Sequence, residues 1–337
     1  MVGNMVKNKC SKETMVSIIS RDILPVLPGK IRELLTELPG EALDQIEEIR
    51  LRQKKPLLLA LTREDTMVTP LGQLTGVPEF SYVVSENDMA RAIQLVSGCS
   101  IYAFEEEIKN GFITIRGGHR VGISGKAVLD RGRVKTIKNI TGLNIRIARE
   151  VTGTADRVLP YIIDPVSKEF HHTLIISPPR CGKTTLIRDI IRQLSSGVPA
   201  IGFRGCTVGL VDERSEIAGC FNGEPQKDVG IRTDVLDGCP KAEGMMMLIR
   251  AMGPQIIATD EIGKQEDAAA LEEALNAGIK VLTTAHGADR EEIVQRPVLR
   301  YIMEQRIFER LIILGRSRGI GTVEDIVNLR DNKSLVR

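Results

Sequence analysis

The residues best suited to chemistry are Ser177, Pro178, Pro179, Arg180, Cys181, Gly182, Lys183 and Thr184, followed by Thr185. Their order fits the phosphate-loop pattern G-x-x-x-x-G-K-[ST] at each defined position but the first, where Ser177 stands in place of glycine. In such a loop successive backbone N–H groups and a helix N-terminus surround a β-phosphate. Lys183 would reach the β and γ oxygens and Thr184 would ligate Mg²⁺. The required flanks are present: residues 173–176 read as a short buried strand, and Leu186, Ile187, Ile190, Ile191 and Leu194 share one helical face. Two positions are atypical. A positive φ at Ser177 would add roughly 1 kcal/mol of strain, and Arg180 puts a large cation inside the loop.

Beyond the loop, strand and helix patterns alternate. Residues 207–211 read as a strand ending in Asp212-Glu213-Arg214, 245–252 as a helix, 255–259 as a strand ending in Asp260-Glu261, 268–275 as a helix, and 280–284 as a strand ending at His286. In an open parallel sheet ligands bind at the carboxyl ends of the strands, so these polar ends are expected to converge on the loop. Asp260 would then hold Mg²⁺ through its water shell, and Glu261 would orient or deprotonate an attacking water. Asp212-Glu213 has two readings: metal coordination or water activation through Glu213, or a loop ion pair with Arg214. His286 is expected to sense a γ-phosphate. The run Met245-Met246-Met247 is expected to be a core helix face.

Phosphoryl transfer needs a further cation. Arg214, Arg232, Arg250 and the arginines of the first half are candidates, including one supplied by a neighbouring subunit. Residues 222–241, rich in Gly, Asp and Pro, predict a long mobile loop near the site, and residues 308–314 and 322–329 would finish the sheet.

The elements that position this chemistry must come from a chain of 337 residues, enough for two domains and an appendage. With 27% charged and 42% apolar residues it has an ordinary globular balance. No run approaches the roughly 20 apolar residues of a membrane span, and no signal-peptide pattern opens the chain, so a cytoplasmic location is expected. Six scattered cysteines lack zinc or disulfide spacing. A net charge of +2 and 3% aromatics give no case for nucleic acid as a partner.

The punctuation divides the chain into a helical appendage (1–46), an α+β domain (47–152), a connection (153–170) and an α/β domain with a mainly parallel sheet (171–330). In the appendage, Ile31, Leu34, Leu35 and Leu38 form a packing face. In the second segment, Ser85 with Asp88 predicts a helix start, and a basic glycine-bearing region predicts strands at 112–116, 121–128, 134–137 and 143–147. Arg116 and Arg146 would lie on strands, with Arg120 and Arg149 just outside them; a solvated sheet face is the reading preferred over a polyanion or nucleotide surface.

The motif order SPPRCGKTT, VDERSEIAG, IRAMGPQIIATDEIG and ALNAGIKVLTTAHG resembles the secretion-ATPase superfamily of RecA-like ring motors over most of residues 171–316. The stretches GFITIRGGHRVGISGKAV and TGLNIRIAREV resemble the first domain of the stage III sporulation AA family within it. That resemblance implies a RecA-like P-loop NTPase domain, with Ser177 to Thr184 as Walker A, Asp212-Glu213 as Asp box, Asp260-Glu261 as Walker B and His286 as His box. It further implies an ATP- and Mg²⁺-dependent ATPase in a hexameric ring. The ring would lie peripherally at the inner (forespore outer) membrane, docked on a membrane protein of a secretion-like channel between mother cell and forespore. Two other readings carry different expectations. A nucleotide-dependent nucleic-acid binder would lose affinity steeply with salt, and a nucleotide-binding scaffold would bind ATP without turnover.

Overall fold

In the computed structural model, residues 18–98 and 111–336 are described. They divide into two compact units, one within Lys12–Arg149 and the other within Glu150–Arg337.

The first unit is built on a seven-stranded sheet. Its elements in chain order are α1 (Gly29–Thr36), α2 (Gly40–Gln45), β1 (Ile46–Arg52), β2 (Leu58–Leu61), β3 (Asp65–Val68), β4 (Leu74–Thr75), α3 (Glu86–Val96), β5 (Phe112–Ile115), β6 (His119–Asp130) and β7 (Arg133–Arg146). The strands run β4-β3-β2-β1-β7-β6-β5, all neighbours antiparallel. One side of it is covered because alternate strand residues, Ile49 and Leu51 on β1 or Leu143 and Ile145 on β7, are buried with Ile31, Leu34 and Leu35 of α1 and Met89, Ala92 and Val96 of α3. Residues 19–46, set apart by punctuation in the sequence, therefore share the core of the strands that follow. The start of α3 has the expected reciprocal cap: Ser85 Oγ accepts from Asp88 N–H and the Asp88 carboxylate accepts from Ser85 N–H.

The basic hairpin region differs from its sequence reading. Residues 133–146 form one long strand with no break near Gly142, Arg120 lies on β6, and Arg116 lies in the tight turn with Gly117 and Gly118 at φ +80° and +70°. Arg146 pairs with Glu48 at 2.9 Å and Arg50 with the same carboxyl group at 2.6 Å. Arg149 donates to the Asp44 carbonyl at 3.2 Å.

The second unit is a three-layer α/β arrangement. In order it contains α4 (Leu159–Ile162), β8 (Thr173–Ser177), α5 (Lys183–Ser196), β9 (Val208–Asp212), β10 (Thr233–Asp237), α6 (Lys241–Met252), β11 (Ile256–Thr259), α7 (Gln265–Asn276), β12 (Lys280–His286), α8 (Arg290–Gln295), α9 (Pro297–Glu304), β13 (Arg310–Gly315), β14 (Thr322–Asn328) and β15 (Lys333–Ser334). The sheet order is β10-β9-β11-β12-β8-β13-β14-β15, parallel from β10 through β13 and antiparallel beyond. Alternation along β8 sends Ile175 into one apolar layer with Ile187, Ile190 and Leu194 of α5. Leu174 and Ile176 enter the other layer with Met245 of α6 and Leu271 of α7. A strand buried on both faces has no polar side to show, which is why the sequence of β8 reads as a continuous apolar run.

Two segments depart from expectation here. Residues 153–170 are no loose connection: Ala155, Val158, Leu159, Ile162 and Phe170 are buried in the α5 layer, and Asp189 of α5 accepts from Ala155 N–H at 2.8 Å. Residues 222–241 contain the edge strand β10 and the first residue of α6.

Candidate active site

Parallel register brings the polar strand ends together. On β12, His286 is paired with Ser177 of β8, while Thr259 of β11 lies between Val211 of β9 and Thr283 of β12. Ser177 is buried, and its hydroxyl donates to the Pro178 carbonyl at 2.7 Å. Its φ is not positive; within the loop Arg180 at +60° and Gly182 at +86° carry that geometry. The strain thus sits at Arg180, with a side chain where glycine would be relaxed. At Gly182 the positive φ calls for glycine, and a Cβ there would also make a tight 3.3 Å contact with the Gly321 Cα. From the far side, Arg316 Nη2 donates to the Pro179 and Arg180 carbonyls at 3.1 and 3.0 Å, tying the end of β13 to the loop.

Helix α5 begins at Lys183, so its N-terminus opens where a phosphate would lie. Lys183 Nζ donates to His286 Nδ1 at 2.7 Å and lies 3.5 Å from the Ser177 carbonyl oxygen. An ammonium has no lone pair, so Nδ1 is the acceptor and the ring's proton sits on Nε2, 3.2 Å from Glu261 Oε1. Burial pushes the Lys183 ammonium below the ordinary lysine range, against the pull of Glu261. Lys183, His286 and Glu261 therefore form one line of close polar contacts, a hydrogen bond from Lys183 to His286 and a 3.2 Å approach of His286 to Glu261.

The second acidic strand end divides into two roles. Asp212 is fully buried, and its carboxylate accepts the N–H groups of Glu216, Ile217 and Ala218 at 2.8, 2.9 and 2.8 Å. Burial pushes its carboxyl up, while those N–H groups hold it down. Arg188 of α5 donates to the Glu216 carbonyl at 2.7 Å and to the Ile217 carbonyl, so the loop after β9 is pinned to the helix after the phosphate loop. Glu213 points elsewhere. It pairs with Lys241, the first residue of α6, and Lys264 Nζ lies 3.9 Å from its other oxygen. Burial raises the Glu213 carboxyl and Lys241 lowers it, leaving it below the usual range.

Lys241 also lies 3.5 Å from Asp260 Oδ1, an oxygen that is buried and has no hydrogen-bond partner among the described residues. Burial pushes the Asp260 carboxyl up to about 6 despite Lys241. These groups fit a divalent ion of the Mg²⁺ type. Asp260 offers a buried oxygen with no hydrogen-bond partner among the described residues. Mg²⁺ is held in that way, by one or two protein oxygens with water and phosphate completing the shell. Thr184 and Asp260 would be those protein ligands.

Of the candidate cations, Arg232 is taken up structurally, its guanidinium donating to the Ser195 carbonyl at 2.6 Å. In the methionine run Met245 is fully buried and Met247 is half-exposed, so the face is only partly core. Three contributors escaped the sequence reading: Lys241, Arg316 and Arg188. Lys241 carried one usable signal, a Pro-Lys pair opening the helix that leads into the strand preceding Asp260; nothing local marked the other two.

The fold and site define a RecA-like P-loop ATPase architecture. Accordingly, the chain is similar to the solved DotB ATPases of Legionella pneumophila (TM-score 0.50, 17% identity, covering 80% of this chain and 72% of that one) and Yersinia pseudotuberculosis (TM-score 0.50, 14% identity, 80% and 70%). Within that class, residues 19–334 match the family described as sporulation stage III, protein AA, and the chain belongs to that family. It is 42% identical over 317 residues to the stage III sporulation protein AA of Bacillus subtilis strain 168, covering 94% of this chain and 97% of that protein. No helix among the described residues is long and apolar enough to cross a membrane.

Proposed function

We propose that this chain is a Mg²⁺-dependent ATPase that works as a hexameric ring and energises a secretion-like channel between mother cell and forespore, docked on an inner-membrane partner. The observation that carries the enzymatic part is the line Lys183–His286–Glu261 at the carboxyl end of the sheet. It sets a phosphate-binding cation, a polar sensor and a carboxylate within one run of close polar contacts. In this reading Lys183 binds the β- and γ-phosphate oxygens, and Glu261 orients the attacking water and takes its proton. His286 registers whether Lys183 is engaged. Thr184 and Asp260 would hold Mg²⁺, whose charge would neutralise that of the phosphates. Glu213 is held by Lys241, which favours Glu261 over Glu213 as the base.

The ring and the channel role rest on family membership and on likeness to ATPases of the DotB type. Pairing of Arg50 and Arg146 with Glu48 leaves the sheet face of the first unit less available to a polyanion, which favours the motor over a nucleic-acid binder. The test is binding followed by assembly. The protein should bind a fluorescent ATP analogue with Mg²⁺, Lys183→Ala should not, and native mass spectrometry should find hexamers with nucleotide present. Equal binding by both proteins, or monomers under all conditions, contradicts it.

A further inference from the structure

A buried lysine in a P-loop site that belongs neither to the loop nor to a partner subunit needs a reason. Lys241 is 6% exposed at the first position of α6, and lysines are almost never buried without a partner. Its two partners are acids from different strand ends, Glu213 after β9 and Asp260 after β11. The geometry is asymmetric: the ammonium is hydrogen-bonded to Glu213 but stands 3.5 Å from Asp260 Oδ1, which remains without a hydrogen bond. Lysine carries its charge on a flexible four-carbon stem, so the ammonium can withdraw toward Glu213 without backbone motion.

From this arrangement we infer that Lys241 is a resident counter-ion for the metal position. In the nucleotide-free protein it holds Glu213 and Asp260 together, and it yields Asp260 when Mg²⁺ arrives with a nucleotide. The inference rests on the Mg²⁺-nucleotide reading of the site. Two carboxylates in a partly buried pocket repel and draw in stray cations unless a positive charge sits between them. Lys241 provides that charge. A divalent ion ligated by Asp260 would face the ammonium at close range as a like charge, so the two compete for one oxygen. Lys241 thereby sets the Mg²⁺ concentration at which the site fills. It also disfavours a free metal ion that brings no phosphate oxygens to offset the repulsion. It is a positioning residue, acting on Asp260 and Glu213 and touching no substrate.

The test is Mg²⁺ dependence of nucleotide binding, read from a fluorescent ADP analogue titrated with Mg²⁺. Lys241→Met should lower the half-saturating Mg²⁺ concentration by about tenfold, a size usual for coupling between two ligands. Lys241→Arg, which keeps the charge, should keep the wild-type Mg²⁺ requirement. An unchanged or raised half-saturation in Lys241→Met overturns the inference while leaving nucleotide binding standing. Absence of nucleotide binding by the wild type overturns both. A variant-free arm covers misfolding: acylation of lysines in the wild type, read by mass spectrometry. Reactivity of Lys241 should rise with Mg²⁺ plus nucleotide over nucleotide in EDTA, and equal reactivity in the two states overturns the inference.

Discussion

Lys183 Nζ donates a 2.7 Å hydrogen bond to Nδ1 of His286, a residue 103 positions further along the chain. The lysine that would grip a phosphate is held by an imidazole whose Nε2 faces Glu261. A phosphate on Lys183 would compete with that hydrogen bond, and the imidazole is the group whose partner would change.

Removing that imidazole separates binding from turnover. His286→Ala takes away the resting partner of Lys183, so nucleotide affinity should stay within about threefold of wild type or tighten, since a net hydrogen bond contributes only about 1 kcal/mol. Turnover should fall at least about tenfold, because the line to Glu261 is cut. Steady-state kinetics and a binding titration measure the two separately; parallel loss of both would show that His286 is structural.

The two acids at the end of β9 should differ in their effect on stability. Asp212→Asn replaces an oxygen that serves the N–H groups of residues 216–218 and leaves a buried donor unpaired, at a cost of about 1–3 kcal/mol. Glu213→Gln keeps a polar partner for Lys241 and should shift stability far less. Urea unfolding of both variants checks the order, and a reversed order would refute the assignment of Asp212 to the loop.

The phosphate loop offers a backbone test. Arg180 has φ +60°, so Arg180→Gly should stabilise by up to about 1 kcal/mol, the left-handed penalty less the added freedom of the unfolded chain. Ser177 ends a strand without positive φ, so Ser177→Gly should be neutral or destabilising by a similar amount. Melting temperatures decide between this and the opposite pattern, in which the consensus glycine at 177 is the stabilising one.

At the other end of the sheet, burial and the Lys280 ammonium push His172 down to about 4. Its Nδ1 accepts from Val281 N–H at 3.2 Å. Because the folded state favours the neutral ring, its contribution to stability is present above about pH 6.5 and is lost as pH falls toward 4, where the unfolded chain binds the extra proton. His172→Asn, which keeps an acceptor, should flatten the fall in melting temperature across that window. An equally steep fall in the variant would place the acid sensitivity elsewhere.

Much of the second unit was legible because its information is local. A double-sided buried strand, a Gly-Lys-Thr helix start and acids closing apolar runs are all visible within ten residues of sequence. β10 was not, since Thr233–Asp237 is an edge strand with every residue half-buried and it lacks the apolar run that marks β8 or β11. The role of Lys241 was hidden for a different reason. A buried ion pair is a property of three elements meeting, and periodicity along one helix cannot report it. Asp212 and Glu213, adjacent in sequence, look interchangeable until the loop after β9 turns one carboxylate onto backbone N–H groups and the other toward Lys241. The helix at residues 29–36 was legible from its apolar face, but its membership in the first unit's core depended on packing against strands from β1 to β7.

The most direct measurement is phosphate release from ATP by the purified protein with Mg²⁺, beside Lys183→Ala and Glu261→Gln. Mg²⁺-dependent turnover is expected of the wild type and none of Lys183→Ala. Glu261→Gln should bind ATP and retain it, with release slowed at least about a hundredfold, as expected for loss of a general base. Equal phosphate release by all three proteins, or none by the wild type, would contradict it.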